Sequence, residues 1–173
     1  MSRYFPHPAY AEDQPLARTI LTTHVETRAV TTGAIIGAGI FGAREAVQRV
    51  RKTAVPNALA TTPGLQRFLL VAGKSTLWTI AISSAGLVGR MWGREEIEWK
   101  DRSWRLLESK GQVETDDWSY GGMLAGLAAT ALLKRPVGLV ATIGSIGSGS
   151  AVGVIGYMGW RYGLHGGKFP SSE

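Results

Sequence analysis

The stretch AIIGAGIFGA, Ala34 to Ala43, decides how the rest of the chain is read. Gly37, Gly39 and Gly42 stand in G-x-G-x-x-G spacing after a short apolar run, the form of a dinucleotide-binding turn. Such a turn needs a strand before it, a helix after it and an acidic residue roughly 20 positions on to hold the ribose. No Asp or Glu stands between Glu45 and Glu95. The incoming strand would also carry Gly33 and two threonines, and the stretch from Thr53 to Leu65 is proline-punctuated where a second strand belongs. The glycines therefore call for another explanation.

Composition narrows the classes. The 173 residues include 23 Gly, no Cys and three His, so disulfides, thiolate metal sites and thiol chemistry are excluded. His7, His24 and His165 have no metal-ligand spacing, and no cofactor or metal is expected. Net charge is +6 and pI about 9.9, with mean hydropathy +0.03. Such a charge suits nucleic acid, anionic lipid or a membrane protein with basic loops, and its distribution decides among them. Charged residues are missing from 29–43, 75–89, 118–133 and 136–160. A helix crossing hydrocarbon needs about 20 mainly apolar residues. The last window meets that outright; the others do so when flanking Arg28, Arg44, Asp117 and Lys134 sit at the headgroups and Lys74 enters the second helix.

Each window repeats small residues four apart: Gly33 with Gly37, Ala38 with Gly42, Ala81 with Ala85 and Gly89, Gly122 with Gly126, and Ser145 with Gly149 and Gly153. In water each interior glycine costs a helix about 1 kcal/mol relative to alanine. In lipid, where helices associate through close backbone approach, the same rows become contact surfaces. The expected fold is all-α, a four-transmembrane-helix bundle with GxxxG-like packing and both termini on one side. Its parts are an extramembrane segment 1–28 with a short amphipathic helix opened by Pro15, a membrane domain 29–162 with spans near 29–46, 68–90, 118–134 and 136–160, and a tail 163–173. In the amphipathic helix Leu16, Ile20 and His24 share a face.

The connections orient the bundle. The first carries Arg44, Arg49, Arg51, Lys52 and Arg67 against Glu45, and the third is the turn Lys134-Arg135-Pro136. The second, Arg90 to Asp117, is mixed and acidic towards its end. The positive-inside bias puts connections one and three on the same side and the termini opposite. Five cations without interleaved aromatics suit anionic lipid such as cardiolipin better than nucleic acid. Lys74 is the one ionisable residue inside an expected span, placed for a lipid phosphate or a partner's carboxylate. Trp92, Trp99 and Trp118 suit an interfacial aromatic belt, and the rest of the second connection suits a helix lying on a membrane surface or a partner.

Across the second connection and third window the spacing is Trp99-x10-Lys110-x3-Glu114-x6-Gly121-Gly122-x3-Gly126. This resembles the motif of the Tim-translocase family of mitochondrial preprotein and amino-acid transporters, with Lys for its Arg, Glu for its Asp, Trp for its Phe or Tyr, and Glu96 where a small residue is usual. The resemblance covers roughly residues 20–162. Within the family the chain is most similar to the four-helix accessory branch found in mitochondrial NADH:ubiquinone oxidoreductase, complex I. That resemblance implies a non-catalytic inner-membrane subunit, with termini in the intermembrane space and connections one and three in the matrix. Its implied partners are core and accessory membrane-arm subunits, phospholipid and a neighbouring respiratory complex; the alternative is a component of a protein or solute translocase.

Overall fold

The computed structural model describes residues 4–51, 64–132 and 137–169, and every regular element among them is helical. A 3-10 turn at Ala11–Asp13 precedes α1 (Ala17–Arg51), α2 (Gly64–Met91), α3 (Glu96–Glu108), α4 (Lys110–Ala131) and α5 (Leu139–Met158). The last helix runs on into a π-helical turn, Gly159–Leu164. The Gly33–Gly42 stretch lies in the middle of α1. Its amides are taken up by the helix ladder, and no strand feeds it, so the phosphate-binding reading ends there.

Pro15 opens no separate amphipathic helix; the turns after it belong to α1, which at 35 residues is about 52 Å long. Ile20 is buried, whereas Leu16 is exposed and has φ of +55° at the junction into the helix. The second connection is mostly helical. Glu95 and Glu98 form a reciprocal capping box that starts α3, and only Ser109 separates α3 from α4, so α4 begins eight residues before the charge-free window. Arg44, Arg49 and Arg51 lie on α1 rather than in a loop; Lys52, Lys134 and Arg135 fall outside the described residues.

The four long helices pack as two antiparallel pairs, α1 with α2 and α4 with α5, and α5 also rests on α2 and α1. Two helices, Gly64–Met91 and Leu139–Leu164, are long and apolar enough to cross a membrane, with hydropathy of 1.3 and 1.6.

The radial distribution of side chains is the reverse of a water-soluble bundle. Facing inward are Ala29, Thr31, Gly33, Ala34 and Gly37 of α1, Leu69, Ala72, Gly73 and Thr76 of α2, and Ala141, Gly144, Ser145, Gly147 and Ser150 of α5. Facing outward are Ile35, Ile40, Trp78, Ile82, Leu124, Leu139, Val152 and Ile155, several of them more than 60% exposed. Together these outer faces make an apolar surface far broader than scattered single exposures produce.

The end of the bundle that holds the N-terminal arm and α3, the cap, carries most of the polar structure. The N-terminal arm, the first turns of α1 and α4, α3 and the π-helical turn gather there, with Trp92, Trp99, Trp104, Trp118 and Trp160. The arm is pinned by Gln14, which is buried and donates through Nε2 to the Pro6 and Pro15 carbonyls at 2.9 and 3.0 Å. Trp104 donates to the Pro8 carbonyl at 3.0 Å, and the His7 ring stacks on its indole.

Candidate functional site

Two regions concentrate features beyond ordinary packing: the small-residue seams between helices and a buried polar cluster in the cap.

At the seams, backbone meets backbone. A β-carbon added at Gly37 would lie 2.5 Å from the Ala72 Cα, and one at Gly33 would strike the Thr76 backbone and Thr79 hydroxyl. Between α2 and α5 the crossing is at Gly73 and Gly144, each lying on the other helix's backbone. Between α4 and α5, Gly122 faces Gly149 and Gly153, and Gly126 faces Ser145. This proximity brings hydroxyls within reach of the neighbouring main chain. Thr79 donates to the Ala29 carbonyl at 2.9 Å, Ser145 donates to the Gly126 carbonyl at 2.8 Å, and the Thr31 and Ser150 hydroxyls meet at 2.6 Å. Such bonds tie the pairs α1–α2, α4–α5 and α1–α5, and α1–α2 has a further one, from the Ser84 hydroxyl to the Glu26 carboxylate at 2.8 Å. Each such bond contributes roughly 0.6 kcal/mol on average in lipid. The buried Thr76 hydroxyl points at Gly147, where a Cα–H is the available partner.

In the cap, Asp116 of α4 is 7% exposed. It holds His24 Nδ1 at 2.6 Å and an Arg28 guanidinium nitrogen at 3.0 Å, both from α1. Arg28 also reaches the Gln112 carbonyl at 3.3 Å, and Thr27 on the same α1 turn meets the Tyr120 hydroxyl at 3.5 Å. A second pair forms on the other side of α4. Arg161, 1% exposed, donates to Glu114 and to the Lys168 carbonyl. Its guanidinium lies over the rings of Phe169, Trp160 and Tyr157 at 4.0, 5.2 and 5.8 Å. Gly166 and Gly167, at φ of +57° and +77°, make the turn that folds Lys168 and Phe169 back over it. Two carboxylates two residues apart on α4, and so on opposite faces of it, therefore anchor α1 on one side and the C-terminal turn on the other. In this arrangement no nucleophile among the described residues stands beside a base, and the open clefts that border it, past Glu114 and Asp117 and past Gln112, have mostly apolar walls. Among the described residues no three His, Asp or Glu side chains converge as a metal site.

The small residues singled out in the sequence divide into two groups. Gly33, Gly37, Gly122, Gly126, Ser145, Gly149 and Gly153 lie at helix crossings. Ala38 and Gly42 on α1, and Ala81, Ala85 and Gly89 on α2, are exposed on outer faces, because α2 turns Leu69, Ala72, Gly73 and Thr76 inward instead. Among the motif residues, Gly122 and Gly126 sit against α5, Gly121 has open space beside it, and Lys110 is exposed at the start of α4. Trp99, half-buried on α3, lies under the Arg18 guanidinium at 5.4 Å, and Arg18 pairs with Glu96 at 2.9 Å. At the opposite end Arg67 pairs with Glu45 at 3.2 Å, while Arg44, Arg49 and Arg51 are exposed, as is Lys74 on the outside of α2. The sequence reading did not single out Asp116, His24 or Arg161 as an interacting set. The available signal was ionisable residues on the borders of the charge-free windows. No family model, no curated protein and no solved structure matches the chain.

Proposed function

We propose that the chain is a non-catalytic, four-span helical protein of the mitochondrial inner membrane, an accessory subunit of complex I that braces membrane-arm subunits and lipid through small-residue helix faces. The observation that carries this reading is the reversed radial distribution: Gly, Ala, Ser and Thr make up most of the buried positions of the long helices, with a few larger residues such as Ile20, Leu69 and Tyr157 among them, and many large aliphatic side chains face out. Water would penalise both halves of that arrangement, whereas lipid favours both. Two helices of spanning length and hydropathy support it directly. α1 and α4 join them as spans when their charged turns stand in the cap at headgroup level.

The charge distribution supports an orientation. Arg44, Arg49, Arg51 and Arg67 gather at one end and suit the matrix leaflet and an anionic lipid such as cardiolipin. Trp92, Trp99, Trp104, Trp118 and Trp160, with the Asp116 and Glu114 pairs, gather at the other, which suits the intermembrane-space interface. The bracing assignment, rather than translocation, draws on the buried hydroxyls: they bond across the chain's own helices and line no membrane-crossing groove. The accessory-subunit assignment itself rests on the Trp99-to-Gly126 motif resemblance.

The test is alkaline carbonate washing of mitochondria followed by native electrophoresis in mild detergent. The expected result is a carbonate-resistant chain migrating with the large NADH-oxidising assembly. Migration with a smaller preprotein-translocating assembly supports the translocase reading, and release into the wash overturns both.

A further inference from the structure

α2 has a second small-residue row that the chain itself leaves uncovered. At 100° per residue, Lys74, Ala81 and Ala85 lie within about 20° of one line along the helix, opposite the inward-facing Ala72 and Thr76. All three are exposed, and Trp78 and Ile82 beside them are 71% and 66% exposed. Among the described residues no carboxylate pairs with Lys74.

Depth matters to what can satisfy this ammonium. The Arg67–Glu45 pair marks the polar end of α2, and Lys74 lies seven residues further on, about 10 Å along the axis. Its four-carbon stem covers roughly half of that distance. A lysine left bare at such a level in hydrocarbon is unfavourable, so the charge points to a fixed anion at its own depth. The row beyond it points to the same kind of neighbour. An acyl chain gains little from Ala81, Ala85 and Gly89 in register, whereas a helix backbone gains close approach.

We propose that this face of α2 docks a transmembrane helix of a partner protein that presents an Asp or Glu side chain to Lys74 and packs its backbone against Ala81 and Ala85. The inference rests on the membrane placement above and adds the chemistry of one partner to it. The partner's carboxylate lies about 10 Å inside the basic boundary, and its contact with Ala81 and Ala85 lies about 10 and 16 Å further along.

The experiment expresses full-length variants in place of the wild type and measures the fraction in the large assembly after mild extraction, with carbonate resistance as the insertion control. Lys74→Glu and Ala85→Leu are each expected to lower that fraction on the order of tenfold. Lys74→Arg and the α5 control Val152→Leu are expected to leave it unchanged. Loss with Lys74→Glu but not with Ala85→Leu or Ala81→Leu identifies a lipid headgroup on Lys74 and overturns helix docking. Retention by all variants overturns it too, while the bracing role stands. A wild-type chain that inserts but migrates alone overturns the bracing role and the docking together. Ala81→Leu and Lys74→Met add no charge, so they decide the matter if Lys74→Glu does not insert.

Discussion

The α4–α5 seam and the outer face of α2 are written in the same letters and used in opposite ways. Gly122 and Gly126 meet Ser145, Gly149 and Gly153 so closely that carbonyl oxygens occupy the space where β-carbons would be. Ala81, Ala85 and Gly89 repeat at the same interval and are exposed, with open space beside Gly89 among the described residues. Four-residue spacing of small side chains thus encodes the capacity for close approach, not the identity of the neighbour. What separates the two rows is the hydroxyl placed among them: Ser145 bonds across to the Gly126 carbonyl, whereas the α2 outer row carries Lys74 and Trp78.

The adjacent motif glycines offer the sharpest way to break this comparison. Gly122→Leu forces a side chain into the Gly149 backbone and should cost the bundle about 3 kcal/mol. Gly121→Leu points into open space and should leave stability unchanged. Unfolding midpoints in mixed micelles would measure both, and equal effects would mean that the α4–α5 register is wrong. Next in size is Asp116→Ala, which strands the Arg28 guanidinium and the His24 ring together. A loss of about 2 kcal/mol is expected, below that of a fully enclosed pair because Arg28 is partly hydrated. Protease cleavage of the N-terminal arm should accelerate in parallel. Thr31→Val removes a single hydroxyl contact with Ser150 and should shift the midpoint by about 0.6 kcal/mol. Smallest of all, Gly42→Ala lies on the open side of α1 and should be neutral for the isolated chain.

The glycine crossings were the most legible part of the chain, since the close backbone approach at Gly33, Gly37, Gly122 and Gly149 follows from what glycine permits. The rotation of α2 was not legible. Both of its faces are apolar and both carry small residues, so no hydrophobic gradient marks the inner one; Leu69 and Thr76 face in while Ala81 and Ala85 face out. The cap was only half legible. Sequence placed polar residues on the window borders, but the pairing of Arg161 with Glu114 spans 47 positions and depends on a π-helical turn that redirects the chain. Likewise the capping box at Glu95 and Glu98 is local and readable, whereas the docking of α3 on α1 depends on how far α1 extends.

That extension makes α1 a long rod. From its crossing with Ala72 at Gly37, α1 runs without interruption back to Ala17, about 30 Å away, and carries α3 and the N-terminal arm at its far end. Rotating this rod by about 10° at the crossing would swing the tryptophan-bearing end by about 5 Å. Such a rotation would have to break the bonds that hold the rod between these points, to Thr79 at Ala29, to Ser150 at Thr31 and to Asp116 at His24 and Arg28, so the head is fixed to the bundle along the N-terminal half of α1.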